Sequence, residues 1–166
     1  MAYTDNYVSA DQTIGHLAAI IGTVDLAIRA QYTGFAAVCA ITVYELALKE
    51  VFCEFARKKH LGYGHFVERY FRRINGNITM RSIKDEYLPR FGDKYLNRFN
   101  TLLTKQEQLH LQQQVSVKSS YGNLITWRNE FAHEGRVPTN ATFQEVQRSY
   151  ERGKVVIECL ALALRR

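Results

Sequence analysis

The sequence has 166 residues, which is enough for one domain with its own core and too few for two full domains. Hydrophobic residues make up 46% of it and there are only 2 prolines, which excludes a disordered chain and a Pro-rich or collagen-like scaffold. The 22 Lys and Arg against 16 Asp and Glu give a formal net charge of +6. This excess favours an anionic partner, although charge alone identifies none.

The compartment is indicated by the absence of export signals and by the cysteines. Residues 1–12 contain neither a basic segment nor an apolar one, and no apolar run is long enough for a membrane span, so no membrane partner is expected. Cys39, Cys53 and Cys159 lie among apolar neighbours and form no Cys-x-x-Cys pair. Buried free thiols are the favoured interpretation over a redox or metal role, which predicts a cytoplasmic protein.

Strong helix formers dominate the first third, and two-residue alternation is scarce. Residues 9–12 have the form of a capping box and predict the start of a first helix, which Gly34 ends. A second helix is predicted over residues 35–59, with basic residues at its end. Gly62 and Gly64 then predict a break.

The middle of the chain is less regular. Short helices are predicted at residues 66–74 and 80–88, separated by a turn at Asn75-Gly76-Asn77. Apolar spacing over residues 95–103 predicts a further helix. The polar, Gln-rich segment 105–114 is either a solvated helical turn or a mobile loop.

The last third gives the clearest helical pattern. A helix is predicted over residues 117–133, ended by Gly135 and Pro138, and a capping box opens the final helix at 142–164. The expected fold is therefore all-α: an antiparallel bundle of four long helices with a short helical insert between the second and third, forming a single domain over residues 1–166.

One segment combines side chains that suit chemistry on a phosphodiester. Arg128, Asn129 and His133, here called the trio, fall within one and a half helical turns. Asn129 and His133 are four residues apart and share a face, whereas Arg128 and His133 are about 140° apart at 100° per residue. A long Arg side chain, or backbone freedom at Gly135, is needed to bring these two together.

Each member of the trio has a chemical use. Arginine offers a forked, permanently charged donor set that fits phosphate oxygens, and histidine titrates near neutral pH and transfers protons. Asparagine can hold a histidine tautomer or a sugar hydroxyl. The alternative is structural: His133 caps its own helix and Arg128 pairs with an acidic neighbour.

The sequence around the trio resembles a known family. Arg-Asn-Glu-Phe-Ala-His at residues 128–133 resembles the Arg-x4-6-His motif of the HEPN superfamily, including the polar residue after the arginine, and lies late in the penultimate long helix. Residues 44–52 resemble the acidic second helix of these domains. The stretch from residues 72–77 through 87–92 is similar to inserts in the RiboL-PSP branch.

This resemblance implies a metal-independent endoribonuclease without a cofactor, in which two copies form one composite homodimer site. The ribose 2′-hydroxyl would attack the adjacent phosphorus and leave a 2′,3′-cyclic phosphate and a 5′-hydroxyl. His133 would act as general acid or base, Arg128 would stabilise charge on the phosphoryl oxygens, and Asn129 would orient His133 or the sugar. Glu45 is either an orienting carboxylate that faces the trio or the partner of Lys49 four residues on.

The resemblance further implies a toxin or anti-phage effector, with an antitoxin or sensor protein as a partner. Some HEPN toxins have Arg-x4-His-x-Tyr, whose tyrosine an antitoxin nucleotidylates, but here Gly135 takes that position. That mode of neutralisation is not supported. The alternative function is a catalytically inactive HEPN helical module that binds RNA or a partner protein.

A second set of residues predicts RNA contacts outside the trio. The predicted RNA-binding residues are basic and cluster around the end of the second helix and the insert: Lys58, Lys59, Arg69, Arg72 and Arg73. Interleaved aromatic residues either stack on unpaired bases or belong to the core: Tyr63, Phe66, Tyr70 and Phe71. His60 and His65 lack Cys or acidic partners at metal-ligand spacing, so no metal site is predicted.

Overall fold

Helices make up most of residues 2–165, the part of the chain that the computed structural model describes, and no strand occurs in that range. Within this range the seven α-helices are α1 (Ala2–Asp5), α2 (Val8–Ile20), α3 (Leu26–Lys59), α4 (Leu61–Phe71), α5 (Asp93–Leu111), α6 (Val117–Glu134) and α7 (Phe143–Leu164). A π-helical segment (Ser82–Tyr87) and a 3-10 turn (Leu88–Phe91) connect α4 to α5. The all-α prediction is confirmed.

The central helix α3 is 34 residues long and continues through Gly34, so the predicted break there is wrong. The chain breaks before α3 instead, and Asp25 caps the new helix by accepting the backbone N–H of Ile28 at 2.9 Å. Gly34 has a packing role, because a Cβ atom at this position would lie 2.1 Å from the ring of Phe131 on α6. The absence of a side chain lets α6 approach α3 closely.

The predicted start of the first helix and the predicted break at Gly62 and Gly64 are also wrong. The capping box at residues 9–12 does not form, since α2 begins at Val8 without a side-chain cap. Gly62 and Gly64 lie inside α4, where the His60 imidazole caps the helix by accepting the Gly62 N–H at 3.1 Å. These glycines permit close contacts rather than ending a helix.

The insert between the second and third predicted long helices is longer than the sequence indicated. Helix α5 has 19 residues and runs on to Leu111, so the helical alternative for most of segment 105–114 is correct. It packs against α7 and the 3-10 turn. The predicted helix at 80–88 is mainly π-helical, with the 3-10 turn following it.

Buried tyrosines fix α3, α6 and α7 against one another. The rings of Tyr44 and Tyr121 stack with centroids 5.7 Å apart, and Tyr44 also stacks on Tyr150 at 5.7 Å. The Tyr44 hydroxyl donates to the Tyr150 carbonyl oxygen, and burial raises the pKa of the Tyr44 phenol well above its ordinary value. Each phenol therefore remains a hydrogen-bond donor that holds the helices in register.

The predicted end of α6 and the predicted start of α7 are both confirmed. Gly135 ends α6 in the left-handed conformation with φ of 64°, and Thr142 begins α7 with a reciprocal capping box. The Thr142 N–H donates to the Glu145 carboxylate at 2.7 Å, and the Glu145 N–H donates to the Thr142 hydroxyl at 3.2 Å. The short connection between the two helices therefore has defined ends.

The cysteines are free, as predicted: Cys53 and Cys159 are buried and Cys39 is half-buried. Burial raises the pKa of the Cys53 and Cys159 thiols to about 11, so both stay protonated at neutral pH. Among residues 2–165, no helix has the length and apolar character needed to cross a membrane.

Candidate functional site

The trio comes together at the end of α6. Arg128 Nη1 lies 2.8 Å from the Asn129 side-chain oxygen and 2.8 Å from His133 Nε2. One guanidinium nitrogen thus links the amide to the imidazole, and the long Arg side chain bridges the angular separation expected on an ideal helix. His133 is exposed, whereas Arg128 and Asn129 are half-buried.

The contact also indicates which imidazole nitrogen accepts the hydrogen bond from Arg128. A guanidinium only donates hydrogen bonds, so its contact with His133 requires Nε2 to be unprotonated and to accept. In this arrangement Nε2 has the protonation state of a base while Arg128 occupies it.

Local sequence explains why the trio sits at an exposed helix end. The backbone N–H groups of Gly135 and Arg136 both return to the Glu130 carbonyl oxygen, so α6 stops within two residues of His133. Trp127 anchors the other face of the helix, since it is buried and its indole N–H donates to the Asn140 side-chain oxygen at 3.0 Å. The C-terminus of a helix favours positive charge, which suits an imidazolium formed during proton transfer.

Gly76 contacts the trio, although the sequence predicted only a turn at this position. Its φ of 78° is in the left-handed region, and a Cβ atom would lie 1.8 Å from Arg128 Nη2. The guanidinium therefore lies directly against the backbone of the 74–78 turn. The Asn-Gly-Asn sequence signalled the turn, but no local pattern indicated that Arg128, distant in sequence, would pack on it.

Side chains from two other elements hold the 74–78 turn in place. The Tyr87 hydroxyl donates to the Asn77 carbonyl oxygen at 2.5 Å, and the Ser82 hydroxyl donates to the Asn77 side chain at 2.6 Å. The Tyr121 hydroxyl, from α6 itself, donates to the Ile78 carbonyl oxygen at 2.7 Å. Burial raises the pKa of Tyr87 to about 12, so its phenol remains a donor over the physiological pH range.

Glu45 lies away from the trio. Its carboxylate forms an ion pair with Lys49 at 2.6 Å, which is one of the two alternatives that the sequence left open. Helices α3 and α6 are antiparallel, because Gly34 meets Phe131 and Tyr44 meets Tyr121. In this register Glu45 is displaced from the level of Arg128 by about 12 Å along the helix axis, at 1.5 Å per residue.

The predicted RNA-binding residues fall into two separate groups. Lys58 and Lys59, here called the lysine end, lie in the last turn of α3. The Lys58 ammonium pairs with Glu54, and the Lys59 ammonium lies 5.1 Å from the centre of the Phe55 ring. The lysine end is about 30 Å from the level of Arg128 along α3.

Arg69, Arg72 and Arg73 line a cleft of about 850 Å³, here called the arginine cleft. The other lining residues come from α4, the 74–78 turn and the π-helical segment: Phe66, Tyr70, Ile74, Asn77, Glu86 and Tyr87. The four interleaved aromatic residues differ in exposure. Phe66 is 68% exposed, Phe71 is buried, and Tyr63 and Tyr70 are half-buried.

The arginine cleft and the trio share the 74–78 turn. Ile74 and Asn77 line the cleft, whereas Gly76, between them, contacts Arg128. Sequence reasoning treated the basic residues and the trio as independent features. The structure joins the arginine cleft to the trio and separates the lysine end from both.

Within the described part of the chain, no group of three or more His, Cys, Asp and Glu side chains is placed to hold a metal ion. The trio itself brings together a guanidinium, an amide and an imidazole. These groups can bind an anion and accept or donate a proton at one atom.

An all-helical domain with an Arg-x4-His segment at the end of its penultimate helix has the features expected of the HEPN class. The sequence model of the RiboL-PSP-HEPN family matches residues 5–165, and the chain belongs to this family. Neither a curated protein nor a solved structure matches the chain in the parallel comparisons. HEPN domains include many ribonucleases, and many bind RNA or dimerise.

Proposed function

We propose that this protein is a metal-independent endoribonuclease that cleaves RNA by attack of a 2′-hydroxyl at a composite site between two copies of the chain. The observation that carries the proposal is the contact among Arg128, Asn129 and His133 at an exposed helix end. This contact presents a phosphate-binding group and a proton-transfer group on one surface in a member of the HEPN class.

The proposed reaction needs one base and one acid. The 2′-oxygen forms a bond to phosphorus while its proton passes to the base, and the bond from phosphorus to the 5′-oxygen breaks as that oxygen takes a proton from the acid. The products are a 2′,3′-cyclic phosphate and a 5′-hydroxyl. Each chain supplies one His133 to the site, so two copies provide both proton-transfer groups.

Arg128 and Asn129 have supporting roles in this reaction. The Arg128 guanidinium would donate to the phosphoryl oxygens as negative charge develops on them, an effect typically worth about 10²–10³-fold. Because this guanidinium contacts His133 Nε2, an arriving phosphate competes for it and frees the base. Asn129 would orient the ribose hydroxyl or the guanidinium. Glu45 pairs with Lys49, so an orienting role for its carboxylate would require it to leave that partner.

An exposed apolar face of α3 supports the homodimer. The α3 stripe consists of residues at alternating three- and four-residue spacing: Ile28, Tyr32, Phe35, Cys39, Thr42 and Leu46. Phe35 and Leu46 are 45% and 46% exposed, and the spacing is that of helices that pack side by side. Since Phe35 follows Gly34, which touches Phe131, a second copy on this stripe would lie next to the trio.

The RNA contacts outside the trio belong to the same proposal. The arginine cleft would bind the strand near the cleaved linkage, because it shares the 74–78 turn with Arg128. The lysine end would be reached only by a strand long enough to extend along α3. A cytoplasmic toxin or anti-phage role, with an antitoxin or sensor protein as regulator, is proposed from the HEPN resemblance.

The decisive experiment measures cleavage by the purified protein in EDTA. We expect RNA fragments that end in 2′,3′-cyclic phosphate, and a fall of about 10²–10⁴-fold in rate for His133→Ala. His16→Ala is the matched control, because His16 is an exposed histidine on α2, and it should cleave as the parent does. Sedimentation of the same samples should show a dimer. If His133→Ala and His16→Ala cleave RNA equally well, or if the parent protein leaves RNA intact, the proposal that this protein is a ribonuclease is wrong.

The alternative is a catalytically inactive HEPN module that binds RNA or a partner protein. One observation favours it: Arg128 occupies the Nε2 atom that a base would use. In that case the arginine serves only to hold the helix end together. RNA binding without any cleavage in the EDTA experiment would select this alternative.

A further inference from the structure

Phe66 is the aromatic side chain of the arginine cleft that remains open to solvent. It is 68% exposed, and no ring contact to it occurs among residues 2–165. By contrast, the Phe71 ring stacks on Phe52 at 4.6 Å, and the Arg90 guanidinium lies 4.3 Å from the centre of the Tyr70 ring. Phe66 therefore offers a free aromatic face at the edge of a basic cleft, where a base can stack.

The positive charge beside Phe66 is largely uncompensated. Within the described range, Arg69 and Arg73 form no ion pair, and Arg72 forms only a long one with Glu68, at 3.8 Å. Glu68 is held mainly by Arg57, whose Nη2 lies 3.1 Å away. At least two guanidinium groups are thus available for phosphate oxygens.

The size of the cleft suits nucleotides. Its volume of about 850 Å³ falls in the range of about 300–1,000 Å³ that is typical of pockets for small ligands. A base that stacks on a phenylalanine ring at a cleft wall must be unpaired, because both faces of a paired base are occupied by its neighbours in the helix. Glu86 in the lining can accept a hydrogen bond from the amino group of such a base.

The cleft leads to the trio through a single turn of backbone. Ile74 and Asn77 form part of the cleft wall, and Gly76 supports the Arg128 guanidinium. A strand whose phosphates lie on Arg69 and Arg73 would therefore continue towards Arg128. A strand that crosses the 74–78 turn would meet the two features one after the other.

We propose that the arginine cleft is a subsite for an unpaired RNA nucleotide next to the cleaved linkage, with the base stacked on Phe66 and its phosphates on Arg69, Arg72 and Arg73. The inference rests on the proposed function for the position of the cleaved linkage. It adds a binding position for one unpaired nucleotide beside that linkage. Recognition depends on stacking and charge, so it tolerates different bases.

The test measures binding of a short fluorescent single-stranded RNA to the His133→Ala protein, which binds without cleaving. Phe66→Ala should weaken binding by about 5- to 150-fold, which is the contribution of one stacked base. Leu61→Ala is the matched control, since Leu61 is a 66% exposed apolar residue on the same helix. Arg73→Ala should also weaken binding, whereas Lys105→Ala, which removes an exposed charge on α5, should not.

Each outcome has a definite meaning. The subsite proposal is wrong if Phe66→Ala and Leu61→Ala bind single-stranded RNA with equal affinity. It is also wrong if duplex RNA or an acidic peptide binds more tightly than single-stranded RNA. Failure of this proposal is separate from failure of the proposed function. If the parent protein cleaves RNA while Phe66→Ala binds normally, only the subsite proposal is wrong. If binding depends on Phe66 and no RNA is cleaved, the nucleotide site is correct, and the proposed enzyme and the cleaved linkage beside that site are wrong.

Discussion

The arginine cleft and the lysine end look alike in the sequence but differ in the folded chain. Both contain clustered positive charge close to aromatic rings. At the lysine end, Lys58 pairs with Glu54 and Lys59 lies over Phe55, so each charge already has a partner. In the arginine cleft, Arg69 and Arg73 form no ion pair within residues 2–165, and the cleft adjoins the trio.

The difference shows that the availability of charge matters more than its amount. A lysine that already holds a carboxylate must give up that partner to bind a phosphate, so its net gain is smaller, by about 0.3–0.5 kcal/mol for an exposed pair, than that of an unpaired cation. An arginine without an ion-pair partner gains a full charge-assisted hydrogen bond. We therefore expect function to depend on the cleft and on the turn that joins it to the trio, and the following predictions test this order.

Among the variants that compare these regions, the largest loss, in kcat, is expected from Gly76→Ala. The new methyl group would stand 1.8 Å from the present position of Arg128 Nη2, so the guanidinium must move. A displacement of about 1 Å in a catalytic group can cost about 10²-fold, and we expect a fall of that order in kcat with little change in RNA affinity. Single-turnover cleavage over a range of RNA concentrations would separate the two quantities.

Backbone strain at Gly76 needs its own control, because its φ is positive. Gly92→Ala provides this control, because φ at Gly92 is 119° and the nearest side-chain atom, on Tyr95, would be 3.9 Å from the added carbon. The two glycine variants should lose stability, but only Gly76→Ala should lose kcat. If Gly76 acts through the guanidinium, adding Gly76→Ala to Arg128→Ala should cause no further loss; additive losses would contradict a positioning role.

A smaller effect, on stability, is expected from Gly34→Ala. The added Cβ atom would lie 2.1 Å from the Phe131 ring, so α6 must shift away from α3 near the trio. Overpacking of this kind typically costs about 1–3 kcal/mol, which the higher helix propensity of alanine offsets only in part. Urea unfolding followed by circular dichroism would measure the loss.

Gly15→Ala is the matched control for this change. Gly15 lies inside α2 with no heavy atom within 4 Å of an added Cβ, so alanine should stabilise the protein by about 0.5–1 kcal/mol. Combining Gly34→Ala with Phe131→Ala removes the clash, and the two losses should be less than additive. A stabilising Gly34→Ala would show that the contact between α3 and α6 is loose.

These glycines also show where sequence reasoning succeeds and where it stops. Gly135 ends α6 as predicted, because a left-handed residue after a helical pattern is a local signal. The sequence predicted breaks in the same way at Gly34, Gly62 and Gly64, but these glycines lie inside helices. Gly34 admits Phe131 and Gly64 admits Arg57, and both contacts connect different helices, whereas Gly62 lies against His60, which caps its own helix.

The same limit applies to the candidate site. The trio could be found from the sequence because its members are at most five residues apart on one helix. The contact of Gly76 with Arg128 could not, since it depends on how the 74–78 turn packs on α6. The basic residues were predicted as one group, and only the fold of α4 back along α3 separates the lysine end from the arginine cleft.

The smallest effect is expected at the lysine end, and the salt dependence of RNA binding resolves it. Each phosphate contact to a single strand contributes about 0.7 to the slope of log affinity against log salt concentration. Arg73→Ala should therefore lower the slope for a short single-stranded RNA by nearly one contact. Lys58→Ala should leave it unchanged, because Glu54 already pairs with that ammonium and the strand does not reach the end of α3. Equal changes in slope for the two variants would mean that paired and unpaired cations contribute alike, and the distinction between the two regions would fail.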